Sequence, residues 1–189
     1  ITYTLPDRVL VSTNVTLNMN NHNIDFDGTK VRSFTVQDGS LNIIGKGTIS
    51  HPKHNALNVW GTTDKTKVNY STLKVGKDVT VNGLYGIAVI YAPGNEKNLE
   101  SGYGVNVEFA GKIEKSTEGG ITINGNLQNA EGAPVINILD GAVINSEQTG
   151  LYAAGNGTWN IGNANITGKE SAMAIKAGKV NINGGTFTC

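Results

Sequence analysis

The residues best placed to do chemistry are aromatic rings and amides rather than acids or nucleophiles. Trp60 and Tyr91 stand where short apolar segments end and long polar loops begin, Tyr152 takes the polar position of a similar segment, and Tyr103 borders another loop. Asn58 and Asn124 lie in the same segments or just after them. An aromatic face can stack on a sugar ring while amides donate to and accept from its hydroxyls. The chemistry suggested is non-covalent glycan binding at Trp60, Tyr91, Tyr152, Tyr103, Asn58 and Asn124. The competing reading is mechanical, since rings at the roots of long loops, with Tyr70 and Tyr85 beside them, also serve to pin those loops.

Other reactive side chains point to turns. Asp27-Gly28, Asp38-Gly39 and Asp140-Gly141 are turn pairs. Asp25 and Asp27 could share a strand face, but Asp27 belongs to its turn. His51 and His54 have a spacing that binds metal on a helix, yet Pro52 opposes a helix and no third ligand follows, so a solvated loop is expected. The Asn-x-Ser/Thr triplets at Asn14, Asn69, Asn156 and Asn165 are what an Asn- and Thr-rich chain produces by chance. A flat Thr-x-Thr array of the ice-binding kind is not formed, because Thr80, Glu114, Asn145 and Thr167 vary. Glu108, Lys112, Glu114 and Glu118 come nearest to an acid–base group. Whether two carboxylates, or a carboxylate and a lysine, converge beside the long loops separates an enzyme from a binding module. No catalytic residue, metal site or cofactor is expected.

The elements that position these residues recur. Leu41-Asn42-Ile43, Val105-Asn106-Val107, Ile136-Asn137-Ile138, Trp159-Asn160-Ile161 and Val180-Asn181-Ile182 repeat one pattern, with Leu73-Lys74-Val75 filling a gap. Each is a short strand with apolar flanks on one face and a polar centre on the other. A second strand follows each turn: Thr48-Ile49, Val79-Thr80-Val81, Lys112-Ile113-Glu114, Val143-Ile144, Asn165-Ile166-Thr167 and Thr186-Phe187-Thr188. A third comes after it: Leu57-Asn58-Val59, Ile87-Ala88-Val89, Ile121-Thr122-Ile123, Leu151-Tyr152-Ala153 and Met173-Ala174-Ile175. Ala56, Gly86, Gly120, Gly150 and Ala172 precede the third strands and suit a close backbone approach.

Recurrence of three strands with no helical periodicity predicts an all-β, right-handed parallel β-helix of about six to seven coils, with apolar flanks inside and asparagine and threonine outside. Leu41, Leu73, Val105, Ile136, Trp159 and Val180 are expected to stack inside, and Asn42, Asn106, Asn137, Asn160 and Asn181 outside. Repeat spacing falls from roughly 31–32 residues to roughly 21–23, and the excess lies after the third strand. Insertions gathered at one corner make a wall that often binds. One domain spans residues 1–189, with residues 1–22 as cap and first strands and 23–189 as coils. Within the cap, Ile1–Val11 is expected as a strand or lid over the first coil. The chain starts without methionine at Ile1 and stops at Cys189 within a coil, so it is expected to be a piece of a longer protein.

Composition narrows the partners. With 15 basic and 15 acidic residues the net charge is zero, which gives no electrostatic reason to expect nucleic acid or an anionic membrane. No apolar run is long enough to cross a bilayer, so no membrane insertion is expected. Only 16% of residues are charged, against about a quarter in ordinary domains. The single cysteine cannot form an internal disulfide. A monomer, exported from the cell, is the expectation.

The segments 15–24 and 34–49, together with Asn183-Gly184-Gly185-Thr186-Phe187, resemble right-handed β-helices of bacterial surface proteins in the pectin-lyase-like superfamily. Asn21 stands where that group carries glycine. The resemblance implies a β-helix on a secreted or surface-bound protein. Lyases of that superfamily use acidic residues for calcium and an arginine or lysine as base, and its hydrolases use clustered aspartates. Here the arginines are Arg8 and Arg32, both near the N-terminal cap, and no aspartate cluster occupies the central coils. The expected function is a non-catalytic adhesin or stalk module that binds glycans or a host surface protein. A polysaccharide lyase or glycoside hydrolase is the alternative.

Overall fold

The computed structural model describes residues 1–29, 33–61, 71–90, 104–123 and 133–189. Among these, every regular element is a β-strand. Every pairing between strands is parallel. They form a 13-stranded and a seven-stranded sheet. Each strand pairs with its equivalent one repeat later, an arrangement compatible with a parallel β-helix.

The seven-stranded sheet is built from the Asn-centred strands. Leu41, Leu73, Val107, Ile136, Trp159 and Val180 are successive partners, as are Ile43, Val75, Phe109, Ile138, Ile161 and Ile182. Most of these side chains are fully buried. Like residues stack on like because parallel in-register pairing brings equivalent positions together. The β-branched side chains fit this pleated, half-buried surface.

One strand departs from the sequence alignment. The recurrence places Val105-Asn106-Val107 beside Leu73-Lys74-Val75, whereas Val107 partners Leu73, Phe109 partners Val75 and Val105 partners Ser71. A shift of two residues leaves every side chain on its own face, so alternation alone does not detect it. It brings the Phe109 ring, fully buried, into the stack between Val75 and Ile138. Burying that ring outweighs burying a valine. Glu108, rather than Asn106, therefore enters the polar column, where Lys74 Nζ lies 3.0 Å from Glu108 Oε2. Further along, Asn160 Nδ2 donates to Asn137 Oδ1 at 2.9 Å and Asn181 Nδ2 to Asn160 Oδ1 at 2.8 Å. Half-buried amides thus satisfy one another up the outer face.

The larger sheet carries the other two strand sets. Ile144, Ile166 and Phe187 continue one stack. Leu57, Ile87, Ile121, Leu151 and Met173 form another. The small-residue column is a true close approach: a Cβ added to Gly150 would come within 2.5 Å of the Ala172 carbonyl oxygen. The opposite face of the third strands differs from expectation. Thr35, Asn58, Ala88 and Thr122 are all buried, at 3% exposure or less, so these strands are covered on both faces. Tyr152, in the same column, is half-buried.

At the N-terminus, Thr2–Leu5 pairs with Asn23–Phe26 and Val9–Val11 with Phe34–Gln37. Both are edge strands of the large sheet. Asn21, where the resembling pattern carries glycine, has φ 61°, a left-handed conformation that asparagine tolerates. The aspartates make turns as expected: Thr29 N–H donates to Asp27 Oδ1 at 2.8 Å, and Asn163 N–H to Asp140 Oδ1 at 2.7 Å.

Ile138 is 1% exposed between Phe109 and Ile161. Ile138→Asp, which buries an unpaired charge, is expected to abolish cooperative melting followed by circular dichroism. Ile138→Ala is expected to cost about 2–5 kcal/mol. Unchanged melting of the aspartate variant would place Ile138 outside the core.

Candidate functional site

The rings and amides singled out in the sequence are not all presented to solvent. Trp60 is 3% exposed, and the Arg8 guanidinium carbon lies 5.7 Å from its ring centroid. This ring is packed into the protein and is not a free stacking platform. Asn58, also 3% exposed, donates to Ser33 Oγ at 3.2 Å and accepts from Asn55 Nδ2 at 2.9 Å. Its amide ties neighbouring turns together, which corrects the expectation of an outward ligand. Tyr91, Tyr103, Asn124 and Tyr70 lie outside the described residues.

His51 likewise corrects the solvated-loop expectation. It is 3% exposed, and its ring stacks on Phe26 with centroids 5.7 Å apart. Its Nδ1 accepts from the main-chain N–H of His54 at 3.0 Å and of Lys53 at 3.2 Å. The imidazole thus closes the turn that Pro52 enforces. Among the described residues no group of three or more His, Cys, Asp or Glu could hold a metal ion.

Of the rings singled out for glycan binding that lie among the described residues, Tyr152 is the one left accessible. It extends from the strand Thr149–Ala153, beside Thr122 and Ala174 on the neighbouring strands. The Lys176 ammonium lies 5.0 Å from its ring centroid, an attraction between cation and π-face. Tyr85 joins this corner from the strand Val79–Ile90. A Cβ on Gly119 would meet the Tyr85 ring at 2.7 Å, so only glycine lets the ring lie there. Burial pushes the Tyr85 hydroxyl up to about 12, helped by a hydrogen bond to Glu118 and by the charges of Glu118 and Tyr152. A phenol that keeps its proton is a donor to Glu118 across the whole physiological range. The corner therefore offers one ring face, hydroxyl groups, a carboxylate and an ammonium, which suits hydrogen bonding to a polyol.

The candidate acid–base residues divide among three places. Glu108 is engaged by Lys74 on the outer face of the seven-stranded sheet. Glu118 belongs to the Tyr85 corner. Lys112 and Glu114 do come together, in an open cleft of about 590 Å³, but at the corner between first and second strands and not beside the long loops. Sequence reasoning missed this cleft. Its signal was the dipeptide Gly-Lys recurring before second strands, at Gly45-Lys46, Gly76-Lys77 and Gly111-Lys112.

Tyr85 yields a pH dependence with a definite sign. A tyrosine whose folded pKa is raised from 10.0 to about 12 contributes stability fully present below pH 10 and lost as pH rises toward 12. The wild-type melting temperature is expected to fall over that window, and Tyr85→Phe is expected to flatten part of the fall. An identical alkaline profile in both proteins would contradict the burial and Glu118 bond assigned to Tyr85. No protein-family model, curated protein or solved structure matches the chain.

Proposed function

We propose that this chain is a non-catalytic module of an exported bacterial surface protein, a right-handed parallel β-helix of the pectin-lyase-like type with three strands per coil. Its N-terminal strands act as cap and first coil, and it serves as an adhesin segment or stalk that meets a glycan at its side. The parallel register and the like-on-like stacks support the fold reading, and parallel crossovers are right-handed in nearly all cases. One observation carries the binding reading: the half-buried Tyr152 ring, with the Lys176 ammonium 5.0 Å from its centroid, lies within electrostatic reach of the Tyr85 hydroxyl that bonds to Glu118. This mixture of ring and hydrogen-bonding groups recognises sugars without bond cleavage.

A second reading, a carbohydrate-active enzyme, is favoured by the Tyr85–Glu118 pair, because a phenol held against a carboxylate can serve proton transfer. A glycan array probed with the chain, read alongside reducing-sugar release, distinguishes the two. The binding reading expects retention of a glycan without release of sugar. Tyr152→Ala is expected to weaken that binding by roughly 1 kcal/mol with little change in melting. Trp60→Ala is expected to cost about 3–5 kcal/mol of stability instead, because its ring is buried. Sugar release abolished by Glu118→Gln would establish the enzyme, and absence of any glycan binding would remove the adhesin reading.

A further inference from the structure

The cleft between first and second strands gathers lysines from three successive corners. Lys46, Lys77 and Lys112 all line it, each following a glycine at the same corner. The corners are held together by the backbone: Asn21 N–H donates to the Lys46 carbonyl at 2.8 Å, and Gly76 N–H to the Ile43 carbonyl at 2.9 Å. Gly45, at φ 77°, makes the tight turn that presents Lys46. A Cβ on Gly111 would come within 2.5 Å of the Val79 carbonyl oxygen, so glycine lets the third corner seat on the second. Adjacent parallel strands lie about 4.8 Å apart, so the lysines are spread over roughly 10 Å along the stacking direction.

These charges are uncommitted. All three lysines are exposed, and among the described residues none has an ion-pair partner, unlike Lys74 and Lys169. Thr48 and Thr80, which pair in register with each other and continue to Lys112, also line the cleft. Asp78 and Glu114 line it as well. Lysine ammonium groups drawn from three successive corners, at staggered register positions, favour a ligand bearing more than one anion. The threonine hydroxyls and the two carboxylates select hydroxyl groups between those anions, since a carboxylate only accepts hydrogen bonds. A bare phosphate chain would meet repulsion from Asp78 and Glu114 without gaining from them.

We propose that this cleft is a binding site for a linear anionic glycan, carrying carboxylate or sulfate groups, separate from the Tyr152 corner. Lys46, Lys77 and Lys112 contact its anions, while Thr48, Thr80 and Glu114 contact its hydroxyls. The site does not depend on the glycan reading of the Tyr152 corner.

The test is calorimetric titration of the whole chain with dextran oligosaccharides of one length, unmodified, sulfated or carboxymethylated. At least one anionic form is expected to bind, more weakly as salt rises, and the preferred form identifies the anion. The triple variant Lys46→Ala, Lys77→Ala, Lys112→Ala is expected to lose about tenfold or more in affinity with unchanged melting. Tyr152→Ala is expected to leave this binding unaltered, which keeps the two sites distinguishable. Equal binding of unmodified dextran, no binding of either anionic form, or indifference to the lysine substitutions would overturn the proposal. Equally strong binding of oligodeoxythymidylate would overturn the glycan assignment.

Discussion

Parallel pairing of each strand with its equivalent one repeat later is the constraint on which everything else rests. It forces identical positions to stack, so an isoleucine must find an isoleucine-like neighbour above and below, and an asparagine another hydrogen-bonding group. The core columns meet the first demand through Ile43, Val75, Phe109, Ile138 and Ile161, all nearly fully buried. The outer column meets the second through the amide contacts of Asn137, Asn160 and Asn181 and through the Lys74–Glu108 pair. A polar residue without such a partner inside the stack would cost far more than a surface contact returns.

The same constraint decides where side chains can do anything else. Corners are the places at which stacked main chains approach most closely, and glycine or small residues occupy them for that reason. A side chain that follows a corner glycine is then displayed at strand-to-strand spacing along the stack. Lysines that follow such glycines line the cleft at one corner, and the Tyr85–Glu118 pair lies within electrostatic reach of Tyr152 elsewhere. The function inferred is a property of display: a rigid ladder holds ordinary polar groups at a fixed interval.

Much of the ladder was legible in the sequence because strand alternation and repetition reinforce each other. The third-strand columns, from Leu57 through Met173, stand in the register read from the sequence, and Trp159 is fully buried as its place in the pattern requires. The shift at Phe109 was not legible, since period-two patterns are blind to a displacement of two. Burial on the far face of Thr35, Asn58 and Thr122 was also hidden, because a polar residue at an alternate position reads as solvent-facing, and the partners of Asn58, Ser33 and Asn55, lie in neighbouring turns that the strand pattern does not show. His51 was misplaced for the same reason: its partners are main-chain N–H groups of its own turn, which side-chain types do not reveal. The lysine cleft escaped because glycine followed by lysine falls in the turns or at the very start of a strand, outside the strand centres that carry the repeat.

The most direct test of in-register stacking is a nuclear Overhauser measurement from the Phe109 ring. Parallel stacking with the observed register predicts cross-peaks from that ring to the methyl groups of both Val75 and Ile138, its partners on either side. Cross-peaks joining Val107, and not Phe109, to Val75 would restore the register of the simple sequence repeat. Absence of contact to both Val75 and Ile138 would contradict the stacked architecture itself.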